Sequence, residues 1–392
     1  MVAFTFPGQG SQRPGMGSAW RDHESWELVE EASDIAGRDV AHLLLEADQD
    51  ELTQTRNSQL VTFVLSLVVL DAVERLGVAP NMAAGHSLGE YTALTATGAL
   101  DFADGVRIVV ARGEAMQQSA EDSPGTMAAV LGLDDEDCDA ACRRADGEVW
   151  VANFNAPGQV VIAGSRDGVA AASAVAKTMG AKKVMPLPVG GAFHTPFMAS
   201  ARDELRKAIA QATLRAPDIP VAANVDARIH TDADDWASIL SAQLVSPVRW
   251  RQSVLRLADD GCSTFVELGA GNVLTGMAKR IVPEARALSV STPGDLDKLL
   301  EILSGESPHA KALEGEQVHL YMTERVVISP AAGVFVPDGG RGEGDRVEVG
   351  DLLGHVGEDE VRSLFAGTVG AFVAVDGERV TASQPIVWLR TA

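Results

Sequence analysis

The chain has 392 residues, of which 46% are hydrophobic, and a formal net charge of −23 at pH 7. This length predicts two or three domains, and so acidic a chain is not expected to bind nucleic acid, because phosphate contacts need clustered lysine and arginine. No signal peptide is predicted, and the longest apolar run (residues 60–70) is too short to span a bilayer. The three cysteines do not suggest a disulfide framework. We expect a cytoplasmic protein without membrane contact.

Short strand-like runs alternate with helical stretches over the first three hundred residues or so. Residues 2–6 are predicted to form a strand that leads into a glycine- and proline-rich turn, and residues 60–76 a helix buried on all sides. Residues 263–268 predict a further strand, followed by a helix from Val273. This alternation is typical of a mainly parallel sheet with helices on both faces, and therefore of the α/β class.

Residues 126–190 follow a different order, β-α-β-β-α-β, which is that of a ferredoxin-like unit. Because the α/β pattern resumes afterwards, we interpret this stretch as a subdomain inserted into a core formed by residues 1–125 and 191–303. Within it, Cys138 and Cys142 lack a second pair of ligands, so no metal site is expected.

The character of the chain changes again near residue 304. Residues 304–316 are polar and predict a linker, and residues 317–392 predict an all-β domain of short valine-rich strands and Gly-Asp or Asp-Gly turns. Residues 330–335 are echoed by residues 364–369. Two similar halves predict a flattened barrel with quasi-twofold symmetry.

Ser87 is the candidate nucleophile. It lies in the run Gly85-His86-Ser87-Leu88-Gly89, the G-x-S-x-G pattern of a nucleophile elbow, in which a sharp turn between a strand and a helix presents the serine hydroxyl. The pattern predicts acyl chemistry through a covalent seryl intermediate. A plain turn is the alternative.

A serine nucleophile needs a base and an oxyanion hole. His194 lies in a glycine- and proline-containing loop where the inserted subdomain rejoins the core, and is a better candidate base than His86, which flanks the elbow. The backbone N–H groups of the turn at residues 8–12, with that of Leu88, could form the oxyanion hole. Arg112 follows an apolar run, and a substrate carboxylate would compensate its charge if it is buried; otherwise it is a surface arginine.

With these motifs in view, residues 1–295 resemble the malonyl-CoA:acyl carrier protein transacylases, including the free-standing acyltransferases of polyketide and fatty-acid biosynthesis. The motifs that carry the resemblance, in the order and spacing of the family, are residues 6–12, 85–91, 112–113, 153–159, 193–194 and 267–269. The resemblance implies an α/β-hydrolase-like core with a ferredoxin-like insert.

The resemblance also implies a mechanism. Ser87 would be acylated by malonyl-CoA and then deacylated by the phosphopantetheine thiol of an acyl carrier protein. His194 matches the base, and Gln243 the residue whose carbonyl orients this histidine. Gln9 and Leu88 match the residues whose backbone N–H groups form the oxyanion hole.

The remaining matched positions concern the substrate. Arg112 matches the residue that pairs with the malonyl carboxylate, and Asn155 a position at the entrance for the thioester. Phe193 and Leu88 fit the malonyl-selective members, which carry a bulky residue before the histidine and an aliphatic residue after the serine. We therefore expect malonyl to be preferred over methylmalonyl. The resemblance implies no cofactor, and no metal is expected.

The C-terminal domain resembles the biotinyl/lipoyl carrier fold. The landmarks that fit are Ser329-Pro330, Gly333, residues 349–351, residues 367–369 and Gln384-Pro385. That family modifies a lysine at the hairpin between its two halves, whereas the hairpin here, residues 356–361, has none, and no lysine follows Lys311. Attachment of biotin or lipoate is therefore not expected. We interpret the domain as a module for docking a partner or for assembly; a stabilising appendage is the alternative.

Three other functions remain open. Two use the same serine: a serine hydrolase, such as a thioesterase acting on acyl-carrier thioesters, and a transferase for a different acyl group. The third is a scaffold that recruits enzymes through the C-terminal domain, with catalysis secondary. Arg112 discriminates between the enzymes, because a hydrolase of neutral acyl groups does not need it.

Overall fold

The computed structural model describes residues 1–304, 324–342, 344–357, 359–363, 366–381 and 384–390. The chain divides into two compact units, Met1–Gly305 and Glu306–Ala392. The predicted linker, residues 304–316, lies outside the described residues except for Ser304.

The helices of the first unit are α1 Glu27–Ala36, α2 Val40–Leu45, α3 Gln49–Thr53, α4 Thr55–Glu74, α5 Gly89–Ala96, α6 Phe102–Asp122, α7 Asp135–Arg144, α8 Arg166–Thr178, α9 Ala199–Ile209, α10 Ala233–Gln243, α11 Trp250–Asp259, α12 Val273–Ile281 and α13 Leu296–Ser304. Its strands are β1 Val2–Phe6, β2 Met82–Gly85, β3 Thr126–Leu131, β4 Val149–Ala156, β5 Gln159–Gly164, β6 Lys183–Pro186, β7 Val221–Ala222, β8 Ile229–His230, β9 Thr264–Leu268 and β10 Arg286–Val290.

A six-stranded sheet in the order β10-β9-β1-β2-β7-β8 forms the centre of the first unit. Its pairings are parallel except that β8 runs antiparallel to β7. Successive residues of β1 face opposite sides: Phe4 and Phe6 belong to one buried apolar cluster, and Ala3 to another. Because helices cover both faces, the mainly parallel α/β sheet predicted from the sequence is confirmed.

Helix α4 packs in the larger of these two clusters, and most of its residues are buried. It extends further at its start than the predicted helix at residues 60–76. Among the described residues it is long and apolar enough to cross a membrane by length and composition, but 89% of its most apolar window is buried inside the protein. In this structure α4 is a core helix.

The elements from β3 to β6 form a second sheet with two helices within the first unit. They run β3-α7-β4-β5-α8-β6, the order expected from the sequence, and the sheet order is β4-β5-β3-β6 with antiparallel pairing. Helices α7 and α8 share a separate apolar cluster with these strands. A parallel bridge between Asn153 and Val248 connects this sheet to the rest of the unit.

The second unit contains strands only among its described residues. They are β11 Glu324–Ile328, β12 Gly333–Pro337, β13 Arg346–Val347, β14 Leu352–Val356, β15 Asp359–Arg362, β16 Gly367–Phe372, β17 Arg379–Val380 and β18 Pro385–Arg390. Two four-stranded sheets result, β11-β18-β16-β13 and β15-β14-β12-β17. Exchanging the first four strands with the last four converts one sheet order into the other. The topology therefore has the twofold relation that the sequence repeat predicted.

Candidate active site

Ser87 lies in the sharp turn between β2 and α5. Its φ is 54°, in the left-handed region that non-glycine residues rarely adopt. A Cβ atom on Gly85 would lie 1.8 Å from the carbonyl carbon of Gly89, and one on Gly89 would lie 2.0 Å from the carbonyl oxygen of Phe6. Glycine is therefore required at both flanking positions, which is the physical basis of the G-x-S-x-G spacing.

The side chain of Asn224, just after the neighbouring strand β7, forms hydrogen bonds to this strained turn. Its side-chain Oδ1 accepts a hydrogen bond from the Ser87 backbone N–H at 2.7 Å, and its Nδ2 donates to the Gly85 carbonyl at 2.7 Å. Asn224 is fully buried and follows β7, which pairs in parallel with β2. Sequence reasoning did not identify it; its position just after the carboxyl end of a strand beside β2 is the signal that could have done so.

Ser87, His194 and Gln243 form a hydrogen-bonded chain. His194 Nε2 lies 2.7 Å from Ser87 Oγ, and His194 Nδ1 lies 2.9 Å from the Gln243 backbone carbonyl oxygen. Since a carbonyl only accepts, Nδ1 carries the proton, and Nε2 is left to accept from the serine hydroxyl. This tautomer suits a histidine that acts as a general base toward Ser87.

Arg112, on α6, is fully buried and contacts the same group of atoms. Its Nη2 donates to Ser87 Oγ at 3.1 Å and to Gln243 Oε1 at 3.0 Å, while Nη1 donates to Gln59 Oε1. Its Nε has no partner among the described residues, and its guanidinium carbon lies 5.3 Å from the centre of the Tyr91 ring. The alternative of a surface arginine is therefore wrong.

The electrostatics of the site follow from this burial. Desolvation, followed by the positive charge of Arg112, lowers the pKa of His194 to about 3. The neutral imidazole, the form that can accept a proton, therefore predominates at physiological pH. Desolvation also lowers the pKa of Arg112.

The two candidate oxyanion-hole residues come from two different parts of the chain. Gln9 follows β1 and lines the same cavity as Ser87, and Leu88 is the buried N-cap residue of α5. No acceptor for the backbone N–H of Gln9 or of Leu88 is found among the described residues. Both donors are thus available to a developing oxyanion.

A cavity of about 390 Å³ opens onto Ser87 and His194. Asn155 and Phe193 line it, together with Met116 and Met127. Asn155 Oδ1 lies 2.8 Å from His86 Nε2, so this histidine bonds to the cavity wall rather than to the serine. Among the described residues no cluster of histidine, cysteine and carboxylate side chains could hold a metal ion.

Comparison with known proteins places this geometry in a class. The family model for the acyl transferase domain matches residues 3–293. Malonyl CoA-acyl carrier protein transacylases are similar over most of the chain. That of Bacillus subtilis is 38% identical over 314 residues, which cover 79% of this chain and 99% of the relative. That of Escherichia coli K12 is 41% identical over 307 residues, which cover 76% of this chain and 99% of the relative. The chain belongs to the malonyl CoA-acyl carrier protein transacylase family.

Solved structures agree with this assignment. An acyl carrier protein S-malonyltransferase from Vibrio cholerae is 40% identical, with a TM-score of 0.73 over 76% of this chain and 99% of that one. A malonyl-transacylase in complex with its type II polyketide synthase acyl carrier protein is 37% identical, with a TM-score of 0.74 over 77% and 99%. The family model ends at residue 293, so the second unit lies outside it.

Replacing Asn224 by alanine tests the support of the elbow. The change leaves the Ser87 N–H and the Gly85 carbonyl without their partner, so we expect the free energy of unfolding to fall by about 2–4 kcal/mol. Urea denaturation measures this change. Asn272→Ala is the matched control, because Asn272 is exposed and its side chain caps no helix; equal effects of the two substitutions would contradict the role of Asn224.

The protonation state of His194 is a second prediction. Because its pKa is lowered to about 3, the imidazole should stay neutral as the pH falls from 7 to 5. An NMR titration of the chain labelled with ¹³C in its histidine rings, assigned with a His194→Gln variant, measures this directly. A midpoint near the ordinary value of about 6.5 would contradict the environment described.

Proposed function

We propose that this protein transfers a malonyl group from malonyl-CoA, through an ester on Ser87, to the phosphopantetheine thiol of an acyl carrier protein. The observation that carries the proposal is the Arg112 guanidinium, fully buried and 3.1 Å from Ser87 Oγ, with no carboxylate partner among the described residues. A carboxylate on the acyl group would supply that partner.

In the first half-reaction, Ser87 Oγ attacks the thioester carbonyl while His194 Nε2 takes the hydroxyl proton. The N–H groups of Gln9 and Leu88 stabilise the oxyanion, and the Gln243 carbonyl stabilises the imidazolium through its bond to Nδ1–H. Collapse of the intermediate releases coenzyme A, whose sulfur receives the proton from His194. The acyl group remains as an ester on Ser87.

In the second half-reaction, His194 takes the proton of the carrier thiol, and the thiolate attacks the seryl ester. The tetrahedral intermediate forms in the same oxyanion hole and collapses to release Ser87, which recovers its proton from His194. Two thioesters of similar energy are thereby exchanged, and neither a metal nor a cofactor takes part.

Arg112 favours transfer of malonyl over hydrolysis of a neutral acyl group. Once Ser87 Oγ is esterified, the Nη2–H that now points to the hydroxyl becomes available to the malonyl carboxylate, and Nε offers a second donor. A neutral acyl chain would give this buried cation no carboxylate in direct contact, and so less stabilisation than malonyl does. The site therefore discriminates by charge.

Mass spectrometry of the intact chain tests the proposal. Mixing with malonyl-CoA should add the mass of one malonyl group, because Ser87 is the acyl acceptor. The Ser87→Ala variant should gain nothing, and addition of a carrier protein bearing phosphopantetheine should remove the added mass. Malonylation that persists in Ser87→Ala would show that another residue is the nucleophile.

Phe193 supports a further choice, malonyl over methylmalonyl. Its side chain is 5% exposed and lines the cavity, so it fills space that a 2-methyl branch would need. One methyl group is worth about 1–3 kcal/mol of discrimination, which corresponds to roughly 10- to 200-fold. Competition between the two CoA esters measures the preference, and equal or faster loading of methylmalonyl would contradict it.

For the second unit we propose a biotinyl/lipoyl-like barrel without an attached cofactor, used to dock a partner. The twofold relation of its two sheets supports this fold, and the absence of lysine after Lys311 supports the lack of biotin or lipoate. Residues 317–392 hold six arginines and eleven acidic residues, a net charge of −5, so the partner surface would be basic or apolar.

Deleting residues 306–392 tests this role. Transfer to an unrelated carrier protein should be retained, because the catalytic residues all lie in the first unit, whereas transfer to the native carrier should weaken. The ratio of kcat/KM for the two carriers measures the effect. An equal loss toward both carriers would indicate that the second unit only stabilises the first.

For localisation we propose the cytoplasm. The three cysteines, Cys138, Cys142 and Cys262, are all buried free thiols, and this supports a reducing compartment.

A further inference from the structure

A fully buried carboxylate, Glu90, lies in the first turn of α5 just beyond Ser87 and takes no part in the transfer described above. Its Oε1 accepts a hydrogen bond from the backbone N–H of Asn224 at 2.6 Å. Its Oε2 accepts one from the side-chain Nε2 of Gln243 at 2.7 Å. Both carboxylate oxygens are therefore engaged by N–H donors.

The Gln243 side chain connects Glu90 with Arg112. Its Nε2 donates to Glu90 and also to the Ser87 carbonyl at 2.7 Å, and its Oε1 accepts from Arg112 Nη2 at 3.0 Å. With the amide reversed, the NH₂ group would meet the guanidinium, donor against donor, and the oxygen would meet Glu90 and the Ser87 carbonyl, acceptor against acceptor. One orientation of the amide satisfies every partner.

We propose that Glu90 is a positioning residue for malonyl recognition: by fixing the orientation of the Gln243 amide, it keeps Gln243 Oε1 on Arg112 and so holds the Arg112 Nη2 beside Ser87 Oγ. This inference rests on the proposed function, because it assigns to Glu90 an effect on the acyl carboxylate. It leaves the bond between His194 and the Gln243 backbone carbonyl untouched.

A carboxylate is needed at this position because two donors meet it. A glutamine in place of Glu90 has one acceptor oxygen and one donor NH₂ group. If its oxygen faces Gln243, the Asn224 N–H meets a donor; if its oxygen faces Asn224, the Gln243 amide meets a donor and is driven to reverse. The second outcome places an NH₂ group against Arg112 and displaces the guanidinium from Ser87.

The charge state of Glu90 is consistent with this role above neutral pH. Burial raises its pKa to about 7, and Asp226 adds to the rise; the hydrogen bonds from Asn224 and Gln243 and the charge of Arg112 act against it. Tyr91 lies near both Glu90 and Arg112, but its pKa is raised to about 12, so its hydroxyl stays neutral. At pH 8 the ionised form, which offers acceptors on both oxygens, predominates.

The test is a double-mutant cycle in the full chain at pH 8. Glu90→Gln, Gln243→Met and the double variant are compared with the wild type for loading from malonyl-CoA and from acetyl-CoA, a neutral substrate of similar size. We expect Glu90→Gln to lower kcat/KM for malonyl-CoA by about tenfold or more, mainly through KM, since a hydrogen bond to a charged group is worth about 1.5–3 kcal/mol. Loading from acetyl-CoA should change by less than about threefold.

The cycle also shows whether Glu90 acts through Gln243. If it does, Glu90→Gln costs nothing further once Gln243 is methionine, because the amide that Glu90 orients is gone. Additive losses, or equal losses toward both acyl-CoA substrates, would overturn the proposal. Should Glu90→Gln lose its cooperative unfolding transition, Glu90→Asp takes its place in the cycle. The shorter carboxylate cannot reach both donors, so a malonyl-selective loss is again expected, and equal losses toward both substrates would overturn the proposal.

The outcome for the wild type separates this inference from the proposed function. A wild-type chain that takes malonyl-CoA no better than acetyl-CoA would overturn the proposed function and the inference together. A malonyl-selective wild type with an equally selective Glu90→Gln variant would overturn the inference alone.

Discussion

The Arg112 guanidinium lies buried beside the Ser87 hydroxyl with no carboxylate partner among the described residues. Burying a cation is costly unless its donors are satisfied and its charge is offset. Here the side-chain oxygens of Gln59 and Gln243 and the face of Tyr91 support the guanidinium, while its Nε remains unpartnered. Glu90 is linked to the guanidinium only through Gln243, so the folded chain keeps a buried cation with a donor free for the carboxylate of an acyl group.

The parallel sheet places these residues. Gln9 follows β1, Ser87 follows β2 and Asn224 follows β7, and these three strands are neighbours in the sheet. Their carboxyl ends meet at one edge, where ligand sites of open α/β sheets are found. The candidate oxyanion donor, the candidate nucleophile and the residue that supports the elbow therefore come together because of strand order, although they are far apart in sequence.

The sequence allowed the family, the α/β sheet and the chemistry of Ser87 to be predicted, because each depends on a local signal. Gly85 is required by contacts with Gly89 and Glu90, and Gly89 by the Phe6 carbonyl of the adjacent strand, yet both glycines appear in one short sequence motif. The motif around His194 likewise marks the loop that carries it. Asn224, Gln59 and Glu90 were not predicted, because their roles arise only from contacts across strands and helices. For the second unit the sequence repeat predicted the twofold strand order, because each half of the repeat contributes four strands at equivalent positions in the two sheets.

The most direct test of the central role of Arg112 is the ratio of kcat/KM for malonyl-CoA to that for acetyl-CoA, measured for the wild type and for Arg112→Ala. If Arg112 binds the acyl carboxylate, the ratio should fall by about a hundredfold or more, with loading of the neutral acyl group retained or increased. An unchanged rate of malonyl loading in Arg112→Ala would contradict the account.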